Sequence, residues 1–176
     1  MKYEIIQLDW TQKYAFEISE VYRMLKDQER KIFDLAWHYK YDDNNLMNII
    51  ERNIKLGQIF VAKDNNEVAG MVMLTDPRTF GDLIITVDVH TAIRKKYWGK
   101  ESRDILRQIH SYINGEFKIK KVIATVPQCG YGIIKLLKDI GFKHEGTLKE
   151  ACLYPDKNDK PKFYDKLIYS YTREDL

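Results

Sequence analysis

Ile93-Arg94-Lys95-Lys96-Tyr97-Trp98-Gly99-Lys100-Glu101-Ser102-Arg103 is the most informative stretch of this sequence. Upstream of it, Leu83 to Ile93 reads as one long strand. Downstream, Ile105, Leu106, Ile109 and Ile113 form one stripe of a helix running from about Glu101 to Ile113, and Gly115 ends it. The stretch therefore joins a strand to a helix N-terminus, where backbone amides lack intrahelical partners and can point at an anion. Gly99 lets the backbone come close, and Arg94, Lys95, Lys96, Lys100 and Arg103 surround it with positive charge. A diphosphate suits that arrangement. The same residues also suit an ordinary exposed loop with a solvated charge run, since one glycine in a basic loop is a weak signal.

Working outward, Lys2 to Leu8 alternates as a short strand. From Thr11 to Leu56 the period becomes helical. Ile18, Val21, Tyr22 and Leu25 share one stripe, and Ile32, Leu35, Ala36 and Tyr39 repeat the spacing. A third helix starts after Asp42-Asp43 and runs through Leu46, Ile50 and Ile54 to Gly57. Gln58 to Lys63 and Val68 to Leu74 read as paired strands around Asp64-Asn65-Asn66-Glu67, with Pro77 and Gly81 as punctuation. Lys120 to Val126 is a further strand. Ile133, Ile134, Leu137 and Ile140 make a short helix capped by Gly141, and Phe142 to Tyr171 holds two strands around a loop from Asp156 to Pro161. The order predicts a mixed α/β or α+β sheet with helices packed on it. With no repeat or linker, residues 1–176 read as a single domain.

The composition excludes several classes. Of 176 residues, 44% are hydrophobic, with nine Gly, four Pro and two Cys, which fits neither a disordered tail nor a disulfide scaffold. Lys and Arg number 29 against 26 Asp and Glu, a net charge of +3, and this near balance argues against nucleic acid, even through Lys118, Lys120 and Lys121. No apolar run approaches the roughly 18 residues needed to cross a bilayer. The first residues, with Glu4 early and no apolar h-region, do not read as a secretory signal. The expectation is a cytoplasmic protein with no membrane partner. The four His and two Cys never group at metal-ligand spacing, so no metal is expected.

The strand, loop and helix around Gly99 resemble the acyl-CoA-binding motif of the GCN5-related N-acetyltransferases, whose loop reads Gln/Arg-x-x-Gly-x-Gly/Ala. Here Lys96-Tyr97-Trp98-Gly99-Lys100-Glu101 takes that place. Downstream, Ile134 to Gly146, with its Gly141-Phe142 and Glu145-Gly146, resembles the second signature of that family. Asp165 with Ile168-Tyr169-Ser170 resembles its closing strand. The resemblance spans Gln58 to Tyr171 and implies a central, mostly antiparallel sheet flanked by helices. It implies an acyl-CoA core over about 58–171 and a helical acceptor-side region over about 11–57. It further implies acetyl-CoA as co-substrate, bound by Ile93, Arg94, Lys95, Lys96, Trp98, Gly99, Lys100, Glu101 and Ser102, and an amine of a small molecule or protein as acceptor. The sequence departs from the pattern where Glu101 replaces the second loop glycine and Leu137 replaces the tyrosine that commonly protonates the CoA thiolate. Such departures also suit a non-catalytic interaction module with protein partners, or a phage virion or assembly protein in virion or host cytoplasm.

Acetyl transfer to an amine needs a base, a polarised carbonyl and an acid. On the strand Leu83 to Ile93, Thr86, Asp88, His90 and Ala92 share one face, which puts Asp88 and His90 about 7 Å apart on the same side. His90 titrates near neutrality and is the first base candidate, with Asp88 second. The alternative is that both simply face solvent. Tyr131 is the acid candidate by chemistry, with Cys129 beside it. The acids Glu17, Glu20, Asp27, Glu29, Asp42 and Asp43 can attract an amine, or simply occupy exposed helix faces.

Overall fold

The alternation that fills β-branched runs with apolar residues on both parities requires a sheet covered on both faces, and the chain builds one. The computed structural model describes residues 2–9, 11–29, 43–156, 158 and 160–174. The helix expected over Ile32 to Tyr39, and His38 with it, lies outside the described residues. The strands are β1 (Glu4–Gln7), β2 (Ile59–Asp64), β3 (Glu67–Phe80), β4 (Leu83–Ile93), β5 (Ile119–Pro127), β6 (Lys143–Pro155) and β7 (Pro161–Thr172). They form one seven-stranded sheet in the order β1-β2-β3-β4-β5-β7-β6. Every neighbouring pair is antiparallel except β4–β5. The helices among the described residues are α1 (Ala15–Glu29), α2 (Asp43–Lys55), α3 (Lys100–Glu116) and α4 (Tyr131–Asp139).

Strand β2 shows how the two faces are filled. Phe60 and Ala62 join the core under α3 and α4, with Ile105, Leu106, Ile109, Ile113 and Leu137. Ile59 and Val61 join the opposite core with Val21, Met24, Leu25, Ile50 and Ile54 of α1 and α2. Gly70 of β3 permits the close approach of α3, since a Cβ there would stand 3.0 Å from Ile105 Cγ2 and 3.3 Å from Ile93 Cγ1.

The strand expected to stop at Leu74 continues through Pro77 to Phe80. Proline lacks an N–H for a ladder, but it is tolerated at a bulge. The register supplies one: it shifts between Thr75 and Arg78. Elsewhere the expected elements are found within a few residues, and α3 and β5 run slightly longer at both ends than their apolar stripes indicate.

Candidate active site

The parallel pair β4–β5 is in register from Ile84↔Ile119 to Asp88↔Ile123. Beyond that level β4 continues to Ile93 paired with β3, and β5 continues to Pro127 paired with β7. The two strands thus part beyond Asp88 and Ile123 and no longer pair with each other there. One wall of this wedge leads from Ile93 into the basic loop and α3. The other leads from Pro127 through Gln128-Cys129-Gly130 into α4. Two helix N-termini therefore follow the two diverging strands.

In the loop, Tyr97 N–H donates to Arg94 O at 2.9 Å and Trp98 N–H to Lys95 O at 3.1 Å, closing a single 3₁₀ turn over Lys95–Tyr97. The Trp98 indole N–H donates to Ile93 O at 3.0 Å while the residue as a whole is 55% exposed. Gly99 is the N-cap of α3 at φ 91° and ψ −127°, and no side chain caps the first amides of the helix. A Cβ at Gly99 would meet nothing within 4 Å, so the approach to those amides is open. Ser102 Oγ–H donates back to Gly99 O at 2.7 Å, which steadies the turn from inside. Tyr97 anchors the loop from below. It is buried, meets Tyr3 edge-on at 6.3 Å and donates to Asp64 Oδ2 at 3.1 Å, and burial pushes its phenol pKa up.

The charges around the loop sort by helix face. Glu101 is held by Lys2 at 2.5 Å, and Gln108, seven residues later on that same face, accepts from Tyr3 N–H at 3.2 Å. Glu101 therefore faces β1. On the opposite side of α3, Arg103 reaches Asp139 Oδ2 at 3.4 Å and Arg107 donates to Asp139 O at 2.9 Å, so this face meets α4. The carboxylate standing in place of a second loop glycine is thus turned toward β1 and neutralised by Lys2, whose own pKa is raised mainly by that hydrogen bond.

Besides Arg103, two more of the expected phosphate cations are engaged elsewhere. Arg94 Nε donates to Val68 O at 2.7 Å, and its guanidinium pairs with Glu20 of α1 and lies 3.6 Å from Glu67. Lys96 pairs with Glu67. Lys95 and Lys100 are exposed, and Ile93 is buried in the core below the loop. The same contacts correct the expectation that Glu17 and Glu20 attract an amine. Both are buried, Glu17 against Lys63 at 2.6 Å and Glu20 against Arg94 and Arg23. They pin α1 to the sheet.

His90 lies where the alternation puts it. It pairs with Met73, and Ala92 pairs with Met71, and both methionines belong to the core under α1 and α2. His90 is half-buried with Nε2 3.1 Å from Thr75 Oγ1. Burial lowers its pKa, opposed by the negative charges of Asp88 and Asp76, so the ring is neutral at neutral pH. Asp88, also half-buried, has its pKa raised by burial, opposed chiefly by His90. Neither faces open solvent. Tyr131 opens α4 on the other wall and is 78% exposed. Cys129 beside it is half-buried and its thiol pKa is pushed up by burial, which keeps it protonated. Leu137 is a core residue. His110 packs edge-on against Tyr171 at 4.5 Å, and exposed His144 lies 3.2 Å from Thr147 Oγ1.

The sequence alone missed Thr75, Asp76, Tyr97 and Lys2. Each acts through a partner distant in the chain, which no local pattern records. No group of three or more metal-ligating residues occurs among the described residues, nor any helix long and apolar enough to cross a membrane.

No family model and no curated protein sequence matches the chain. Its fold, however, recurs. The acetyltransferase of the GNAT family from Streptococcus pneumoniae superposes with a TM-score of 0.72 at 15% identity, covering 97% of this chain and 99% of that one. Ribosomal-protein-alanine N-acetyltransferase from Brucella melitensis gives 0.74 at 17% identity over 97% and 99%. Spermidine N-acetyltransferase from Vibrio cholerae, in complex with CoA and spermine, gives 0.73 at 14% identity over 97% and 95%. With the strand order, the parting of β4 from β5 and the glycine-capped helix that follows, these likenesses establish that the chain has the fold of the GCN5-related N-acetyltransferases.

Proposed function

We propose that this protein is an acetyl-CoA-dependent N-acetyltransferase that moves an acetyl group directly to an amine of a small molecule or protein. The observation that carries the reading is the wedge between β4 and β5, opening beside the uncapped N-terminus of α3. The diphosphate of acetyl-CoA would lie on the amides of 98–102, with Lys95 and Lys100 as the nearest uncommitted cations and Trp98 covering the turn. Backbone N–H groups of β4 beyond Asp88 would polarise the thioester carbonyl. His90, neutral and half-buried, takes the proton of the attacking amine, directly or through a water shared with Asp88. The amine nitrogen bonds to the acetyl carbon, the C–S bond breaks, and the thiolate takes a proton, for which Tyr131 is the candidate donor. Similarity to a spermidine N-acetyltransferase in complex with CoA and spermine supports both the donor and the amine class.

The second reading, a non-catalytic interaction protein, draws support from Leu137, an apolar core side chain at the position of a customary acid. Calorimetric titration with acetyl-CoA, against CoA, separates the two. Micromolar binding followed by acetylation in an amine screen supports the enzyme. Absence of binding at millimolar ligand refutes it.

A further inference from the structure

Strand β4 loses regular pairing on both of its sides at one level. Toward β5 the ladder ends at Asp88↔Ile123. Toward β3 the register passes from Thr75↔Asp88 to Arg78↔Thr86, so β3 takes three steps where β4 takes two. The extra residue belongs to Asp76-Pro77, and Asp76 holds φ 50°, a left-handed conformation that Asp tolerates but non-glycine residues seldom adopt. In an unbroken strand Asp76 would face away from Thr75. A bulge re-aims a side chain.

What lies at this level is the His90 neighbourhood. Thr75 touches the imidazole at 3.1 Å, and Asp76 follows Thr75 directly. The charged groups acting on His90 are Asp88 from β4, Asp76 from β3 and Lys166 from β7, the two carboxylates favouring its protonated form and the lysine opposing it. Arg78 of β3 and Lys166 also act on Asp88. We propose that the bulge exists to bring the Asp76 carboxylate to the Asp88–His90 pair, making Asp76 a positioning residue that stabilises positive charge on the His90 ring. Burial lowers the proton affinity of His90, and a second carboxylate, on the exposed bulge of β3, offsets part of that loss. Only the catalytic consequence rests on the acetyltransferase reading; the charge placement does not.

The test is an NMR titration of the His90 ring in the full chain, assigned with His90→Gln. Asn adopts left-handed backbone as readily as Asp, so Asp76→Asn keeps the bulge while removing the charge. Asp82→Asn, at the exposed tip of the β3–β4 hairpin, is the charge control. The expected result is a lower His90 midpoint in Asp76→Asn, recovery in Asp76→Glu, and a wild-type midpoint in Asp82→Asn. An unmoved midpoint in folded Asp76→Asn, or an equal displacement by Asp82→Asn, overturns the proposal. In an acetylation assay the acid limb of kcat/KM for Asp76→Asn moves to lower pH with the midpoint. A displaced midpoint in a protein that acetylates nothing leaves this inference standing and removes the proposed function. His90-dependent acetylation with an unmoved midpoint does the reverse.

Discussion

Replacing Gly99 separates the geometry of the loop from its charge. At φ 91° and ψ −127° any L-residue is strained, yet a Cβ meets nothing within 4 Å, so the penalty is conformational only. That strain is about 1–3 kcal/mol. For a chain of this size it lowers Tm by about 2–12 °C. Gly99→Ala should therefore fold, melt earlier and bind acetyl-CoA with little change. Gly99→Asp adds a negative charge beside the amides that would hold the diphosphate. At a separation of about 4 Å the repulsion is about 1 kcal/mol in bulk water and about 4 kcal/mol at an effective dielectric near 20. That range corresponds to a loss of affinity of roughly 5- to 1000-fold. The assay is calorimetric titration of both variants with acetyl-CoA at low and high salt, with a melt of each. The gap between Asp and Ala should narrow as salt rises. A folded Gly99→Asp protein with wild-type affinity refutes the loop assignment. If Ala loses as much affinity as Asp, backbone strain rather than charge is responsible, and the repulsion argument fails.

Other outcomes follow from the same contacts. His90→Gln should lower kcat/KM by roughly 10²- to 10⁴-fold in steady-state assays while the affinity for acetyl-CoA stays near wild type. Because burial depresses the His90 pKa, the base stays competent below the ordinary histidine range and activity is lost only as pH falls through that lowered value, which a pH–rate profile would show. Glu20→Gln leaves the Arg94 guanidinium without its buried carboxylate and should cost about 3 kcal/mol in urea unfolding, whereas Glu20→Leu with Arg94→Met should recover most of it. Ile105→Ala, at a fully buried site beneath α3 and against Gly70, should destabilise by about 2–5 kcal/mol in the same assay. Lys2→Met frees the Glu101 carboxylate and should weaken acetyl-CoA binding a few-fold at low salt, an effect that disappears at high salt.

Much of the arrangement is legible in the sequence because its causes are local. The i, i+3, i+4, i+7 stripe of α1, the Ile105-Leu106-Ile109-Ile113 stripe of α3 and the apolar runs of β2 and β4 record which faces are buried. Alternation in β4 suffices to place Asp88 and His90 on one side, since the side-chain period of a strand is two. Gly99 marks the turn because glycine alone adopts its backbone without strain. Pro77 misled for a matching local reason: a proline signals the end of a ladder, and only the pairing with β4 shows that a bulge absorbs it.

Local pattern alone sets the order of elements, the strand–loop–helix around Gly99, and the face of β4 on which Asp88 and His90 lie. The tertiary structure decided how the charges are used. Five cations in and around one basic loop look equivalent in a string of letters, yet Arg94 and Lys96 are engaged by Glu20 and Glu67 while Lys95 and Lys100 stay exposed. Glu101 looks opposed to a phosphate, yet α3 rotates it toward Lys2, just before β1 at the far edge of the sheet. Electrostatic energy depends on distance through space and on burial, and both are set by which strands lie side by side, a property no stretch of the chain carries alone.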